Sequence, residues 1–402
     1  MSATRGASPS TLTTIILLWG AGLYLRLTVM VAPPLAPVIA SDLELGSALT
    51  GSLTTLPILM LAVAAIGASF LISRIGARNA LILALCLVAL TSALRGAGGT
   101  VTLFVATAAM GVAIAGIQPA LPTLLTQWWP ERIALGTAVY MNGMLVGEVL
   151  GSTLTLPVML PVAGGDWRLA LLLWSVPALI PALALAVLVR SPERDPQDTG
   201  SWMPAWRQPL VWQLGALLGA SGSLFFGTNA YLGSVLGARG ESELLGVGLV
   251  LLNGTQILAS LLMFWLARHW TGRPAPLVVL MLLGVAALGM FVMVPGIPGL
   301  LALFPAGLAA GMMLILMVGL PPLYTRGNET AALAAGMFGI GAVINFTIPF
   351  LGGLIADHTS EPGMAIIPIL VYSALVAPLA RGLPAVPERS AGPVARAEIS
   401  RL

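Results

Sequence analysis

The sequence predicts an all-α integral membrane protein, with twelve transmembrane helices in two pseudo-symmetric six-helix halves. Three observations carry this. Of the 402 residues, 58% are hydrophobic and only 8% are charged, against about 25% charged in a soluble domain. Such a chain cannot clothe a water-facing surface, so its surroundings must be mostly lipid. Apolar runs recur twelve times, each close to the roughly 20 residues a bilayer crossing needs. The longest polar break, "RSPERDPQDTGSWMPAWRQP", falls near the middle of the chain. It divides the sequence into a first half, residues 1–189, a linker, 190–208, and a second half with a short tail, 209–402.

The helices are expected at roughly 12–38, 48–71, 79–95, 101–125, 133–160, 169–189, 209–236, 244–266, 276–294, 299–322, 331–355 and 364–380, numbered 1 to 12 in that order. The breaks carry turn chemistry, such as "RGAGG", "AGGDWR" and "VPGIPG". Arginine placement then orients the chain, because basic residues concentrate in cytoplasmic loops. With the N-terminus inside, fourteen arginines fall on the cytoplasmic side and only Arg95, Arg168 and Arg239 on the other. This asymmetry places both termini in the cytoplasm and the chain in the cytoplasmic membrane. A weak internal likeness, "LPTLLTQWWPERIALG" against "LPPLYTRGNETAALAAG", supports the two-half plan. Paired halves around a midplane site are the plan of a rocking carrier.

Composition narrows the function classes. All 18 basic residues are arginine, and a net charge of +3 is too small and too scattered for a nucleic-acid surface. Cys86 is the single cysteine, so no intrachain disulfide can form. His269 and His358 lie outside the middle of any span, and no metal-ligand cluster or cofactor motif appears. The first apolar run is too long for a signal-peptide core. Enzyme chemistry is therefore not expected. A channel would call for charge or carbonyl rings along a continuous pore, which this pattern does not offer.

The loop between helices 2 and 3 reads "SFLISRIGARN". It resembles the loop motif of the major facilitator superfamily, in which a glycine and an aspartate precede R-x-G-R-R. Arg74, Gly76 and Arg78 fit that pattern and imply a gating loop; Ser69 and Ser73 replace the glycine and the aspartate. Helix 5 contains "GMLVGEVLGS", similar to the superfamily's glycine-rich helix-5 motif with Glu148 in place of proline. Its glycines suit close helix packing. "LRLTVMVAPPL" and "GVAIAGIQPALP" resemble the helix-1 and helix-4 patterns of the CynX/NimT family, whose name joins cyanate and 2-nitroimidazole transport. Arg26, Pro34 and Leu35 match the first and Gln118 and Pro122 the second; Tyr24 and Leu27 depart from it. The resemblance implies the superfamily fold, with helices 1, 4, 7 and 10 facing a central cavity and helices 1 and 5 adjacent.

Two ionisable charges, Arg26 and Glu148, are expected well inside the spans, at similar depth. A guanidinium keeps its charge at ordinary pH, and a charge in hydrocarbon costs several kcal/mol. Its planar fork of donors suits a small anion. Glu148 would neutralise Arg26, carry a coupled proton, or simply bridge the two helices. Burial favours the neutral acid and a nearby arginine favours the carboxylate, so an anion arriving at Arg26 would promote protonation.

Polar residues at similar depth extend the candidate site. Gln118, Asn229, Tyr231, Tyr24 and Asn142 are expected as substrate contacts beside Arg26, and Asn253, Gln256 and Asn345 as further cavity groups. For a single amide, an interhelical hydrogen bond is the competing role. Met312, Met313 and Met317 on helix 10 suit core packing. The expected activity is proton-coupled transport of a small anion, cyanate-like or a small carboxylate, by alternating access in a monomer. The alternative is export of nitroimidazole-like or other amphiphilic drugs.

Overall fold

The computed structural model describes residues 10–189, 206–325 and 328–384. All but the last three residues of the expected linker lie outside these ranges. So do the side chain of Ser69 and the expected cytoplasmic arginines Arg5, Arg190, Arg194, Arg326, Arg389, Arg396 and Arg401.

Twelve crossings form, and the described residues contain no strand. Eleven are helices 1 (Thr11–Leu43), 2 (Ser47–Ala65), 3 (Ala77–Leu94), 4 (Thr100–Trp128), 6 (Trp167–Leu188), 7 (Pro209–Ala238), 8 (Ser242–Ala267), 9 (Pro274–Met293), 10 (Gly296–Tyr324), 11 (Ala332–Thr359) and 12 (Pro362–Gly382). Helix 5 is a bent pair, Leu135–Thr153 and Thr155–Val162, meeting at 53°. A π-helical turn over Thr155–Met159 holds the bend. Pro157 sits within that turn, where its missing N–H leaves a gap in the helical ladder.

Helix 1 is broken as well. The chain turns at Tyr24–Arg26, resumes as a short helix Leu27–Met30, and restarts at Ala32. Pro33, Pro34 and Pro37 follow. They have no N–H, so the carbonyls of Val29, Met30 and Pro33 lose their helical partners. Non-helical backbone at membrane depth is tolerated where it is buried in protein or lines a cavity. Tyr24 and Leu25 are buried, while Arg26 keeps partial exposure.

Glycines let helices 1 and 5 touch backbone to backbone. A Cβ at Gly143, Gly147 or Gly151 would collide with the carbonyl oxygens of Trp19, Leu23 and Leu27, and one at Gly22 with that of Tyr140. The helix-5 glycines are thus packing residues. The helix of the second crossing runs on to Ile75, so only Gly76, whose φ of 80° favours glycine, separates it from helix 3. Arg74 stacks on Phe70, and Arg78 donates to the Ala186 carbonyl of helix 6 at 2.8 Å.

The apolar interior forms two bodies. One runs through helices 1–6 and continues into Phe225, Tyr231, Leu249, Leu300 and Ile366. The other, including Val211, Leu214, Met281 and Met337, is confined to helices 7–12. Met312, Met313 and Met317 are buried in this second body. The first body unites the two sets of helices at one end. There Asp357 of helix 11 accepts the backbone N–H groups of Ser47 and Ala48 at the start of helix 2, the latter at 3.0 Å. Gly353 lies so close to Ala48 that a Cβ would strike its backbone, and Gly233 lies against Pro37. At the other end, where helix 7 begins, the two bodies do not merge.

Arg95 corrects one expectation. It was expected in a water-facing loop, but it is fully buried, at 0% exposure. Its Nη1 donates to the Thr28 carbonyl at 2.9 Å. The guanidinium folds back from the end of helix 3 onto the broken part of helix 1. Arg168 and Arg239 also make specific contacts, an ion pair to Asp42 at 2.8 Å and a hydrogen bond to the Phe291 carbonyl at 2.9 Å.

Candidate functional site

Where the two bodies part, a cavity of about 430 Å³ opens between helices 1, 2, 4 and 5 on one side and 7, 8, 10 and 11 on the other. It extends from Arg26 to Trp206, next to the start of helix 7. Arg26, Glu148, Gln118, Gln256 and Asn345 line it together.

Arg26 sits at the helix-1 break and caps the short helix that follows; its carbonyl accepts the N–H groups of Val29 and Met30. Its guanidinium carbon lies 4.7 Å from the centre of the Phe226 ring. An aromatic face attracts a cation there, which offsets part of the burial cost. Nη1 is buried and has no partner in the protein. Phe226 belongs to a π-helical turn in helix 7, Ser223–Gly227. Such turns inside α-helices are frequent at functional sites.

Glu148 is 4% exposed, and its Oε1 also lacks a partner. Among the described residues the ion pair within 4.0 Å is Arg168 with Asp42, so Arg26 and Glu148 share the cavity without closing a bridge. Asn345 presents a third unpartnered atom, Oδ1. It nests against helix 7 at Gly222, where any Cβ would overlap its amide. Gln256 reaches the Gly307 carbonyl at 3.3 Å and Ser221 the Ala310 carbonyl at 3.0 Å, so these two tie helices 8 and 7 to helix 10. Gln118 is exposed to the cavity. The arrangement offers an unpaired cationic donor beside a carboxyl oxygen and an amide oxygen, with an aromatic ring over the cation.

The other expected contacts lie off the cavity lining, each with a physical reason. Asn229 donates to the Phe225 carbonyl at 3.0 Å and accepts from Asn253 at 2.9 Å, which ties helices 7 and 8 together. Tyr231 donates to the Pro349 carbonyl at 2.7 Å, inside the sealed end. Asn142 accepts from Trp19 Nε1 at 3.0 Å on the flank of helices 1 and 5. Tyr24 is buried in the core beside the break. Arg74, Gly76 and Arg78, expected as a loop, stand at a helical junction in which only Gly76 is non-helical, and none of them lines the cavity.

Sequence reasoning passed over the aromatic wall of Phe225, Phe226, Phe338 and Trp206. The adjacent pair "FF" after a small-residue stretch was a visible signal, but no sequence period says which way it faces through a π-helical turn. Arg95 was missed because it ends an apolar run and adjoins a glycine-rich turn.

Residues 18–344 match the family described as Major Facilitator Superfamily. Among curated proteins, the chain is 29% identical to the 2-nitroimidazole transporter of Escherichia coli, over 88% of this chain and 90% of that one. It is 24% identical to the cyanate transport protein CynX of the same organism, over 83% and 87%. Among solved structures, a bacterial homologue of the human lysosomal transporter Spinster, in an inward-facing and occupied conformation, superposes with a TM-score of 0.76. That match covers 94% of this chain and 97% of that one at 15% identity, a likeness of fold alone. With twelve apolar crossings around a central cavity, the chain is a membrane-embedded transporter rather than an enzyme, and it belongs to the Major Facilitator Superfamily, in its CynX/NimT type.

Proposed function

We propose that the chain is a secondary active transporter that binds a small anion, cyanate-like or a small carboxylate, at Arg26. The observation that carries this is the buried, unpartnered Nη1 of Arg26, in a residue that lines a cavity between helices from both halves of the chain. Intramembrane charge marks substrate or ion paths, and among the described residues no carboxylate lies within 4.0 Å of this guanidinium. The cyanate transport of one relative agrees with a compact anion. Glu148 is the group we assign to the proton: an anion at Arg26 withdraws the positive charge that favours the carboxylate form, so anion and proton enter together. Alternating access follows from residues 1–189 rocking against 209–402 about the linker, in a monomer.

A second reading has its own support. The cavity exceeds what a three-atom anion fills, and its wall is aromatic at Phe225, Phe226, Phe338 and Trp206. A flat nitroheteroaromatic, of the kind named for the other relative, would stack there with its nitro oxygens at Arg26.

Uptake of labelled cyanate and 2-nitroimidazole into proteoliposomes tests both. Arg26→Ala should lower apparent affinity by roughly 100-fold, the order expected for charged hydrogen bonds. Arg26→Lys should recover little, because a point charge lacks the fork. Normal transport by Arg26→Ala would overturn both readings. We place both termini in the cytoplasm of a cell whose cytoplasmic membrane holds the chain. A reporter inserted at Gly164 should then read external, and a cytoplasmic reading there would reverse the orientation.

A further inference from the structure

Arg95 is the buried charge that transport as proposed does not use. It ends helix 3 on a rigid strut. Ser175 of helix 6 donates to Ser92 at 2.7 Å, one turn before it, and Gly96, directly after it, lies against the Arg168 backbone. From this strut the side chain crosses to helix 1 and donates Nη1 to the Thr28 carbonyl at 2.9 Å; Met110 Sδ of helix 4 lies 3.9 Å from the same nitrogen. Its Nε and Nη2 have no partner among the described residues, nor has the Thr28 hydroxyl. An unbranched apolar side chain would fill the same space without desolvating a charge. What the guanidinium adds is the bond to Thr28.

That bond falls on the element that presents Arg26. Thr28 belongs to the short helix Leu27–Met30, and Arg26 is its N-cap. The segment has few internal restraints, since the chain turns just before it at Tyr24–Arg26 and the prolines that follow remove amide donors. From the Thr28 carbonyl to the Arg26 backbone is two residues.

We infer that Arg95 is a positioning residue: its bond to the Thr28 carbonyl fixes the unwound part of helix 1 and so aims Arg26 into the cavity. The inference rests on the proposed role of Arg26 as the anion-binding group. Arg95 touches neither the cavity nor the solute and acts through the backbone. The packing residues of helix 1 fill space; Arg95 sets a direction.

The test reads the placement of residue 26 without any substrate. In full-length Arg26→Cys, Cys86→Ser protein in proteoliposomes, the rate of modification by a small charged methanethiosulfonate reports how residue 26 faces the cavity. Adding Arg95→Met, which keeps the stem and removes the donors, should change that rate at least fivefold. Adding Arg95→Lys, which keeps a donor for the carbonyl, should leave it within twofold. If the methionine variant fails to fold, Arg95→Gln takes its place, with a rate between the two. Rates within twofold for both methionine and lysine, or equal large changes for both, would overturn the inference. The proposed function fails by a different readout, unaltered uptake in Arg26→Ala, so the two outcomes are told apart.

Discussion

The two ends of the interface between helices 1–6 and 7–12 are built on opposite rules. At the sealed end, three polar contacts are closed: Tyr231 donates to the Pro349 carbonyl, Asp357 accepts from the start of helix 2, and Asn253 donates to Asn229, while Asn253 Oδ1 and Glu241 Oε2 have no partner among the described residues. At the cavity end, Arg26, Glu148 and Asn345 line one cavity, and Arg26 Nη1, Glu148 Oε1 and Asn345 Oδ1 are buried without a hydrogen-bond partner among the described residues. An unmade hydrogen bond in a buried place is costly, so those atoms require water or solute. Closed contacts between the two sets of helices mark the sealed end, and a cavity with buried charge marks the other, where the proposed function places the solute.

Substitutions can break this contrast. The largest effect after that of Arg26 is expected from Glu148→Gln. If Glu148 carries the proton, gradient-driven accumulation should be abolished while counterflow exchange of the same solute continues, because glutamine keeps the shape and cannot cycle a proton. Intact accumulation would remove Glu148 from the coupling role. A direct bridge to Arg26 would instead appear as lost stability, roughly 3–5 kcal/mol for a broken buried pair; the separation of the two groups argues for a smaller loss, read by thermal denaturation in detergent. Next comes Phe226→Leu, which removes the ring over Arg26. A cation–π contact is worth about 1 kcal/mol where exposed and about 2 kcal/mol where desolvated, so half-saturation should rise roughly five- to thirtyfold for any solute held at Arg26. A nitroheteroaromatic should suffer more than cyanate, which sharpens the choice between the two readings.

The smallest effect belongs to the sealed end. Asp357→Asn keeps a side-chain acceptor for the helix-2 amides and removes the charge. Charge at a helix N-terminus contributes about 0.3–1 kcal/mol, so the melting temperature should fall by a few degrees at most. The same variant should bias the protein toward opening at that end, read as faster thiol labelling of Ala48→Cys. A labelling rate equal to that of Ala48→Cys alone would show that Asp357 does not hold the end closed.

Much of this was legible in the residues. Twelve crossings follow from hydropathy, even for the short helices 3 and 12, because lipid leaves the chain few alternatives. Arg26 and Glu148 stood out as charges within apolar runs, and Gln118 through a family pattern; all three line the cavity. Depth along a helix is readable in sequence, but facing is not. Asn229, Tyr231 and Asn253 sit at suitable positions along their helices and turn toward one another or toward carbonyls. The facing of Phe225 and Phe226 depends on a π-helical turn that no simple period encodes. Arg95 reads as loop because it is the last residue before a turn, yet a long side chain can reach back several ångströms into the protein.

The glycine contact between helices 1 and 5 has a mechanical consequence. With backbone against backbone at Gly22, Gly143, Gly147 and Gly151, the two helices cannot slide or roll independently. Under the proposed rocking of the two halves, Arg26 and Glu148 would ride on a single lever, with the spacing between them nearly constant. Phe226 and Asn345 ride on the opposing lever. On that reading, what changes with each stroke is the grip of ring and amide on the solute, and the uncharged wall would govern loading and unloading.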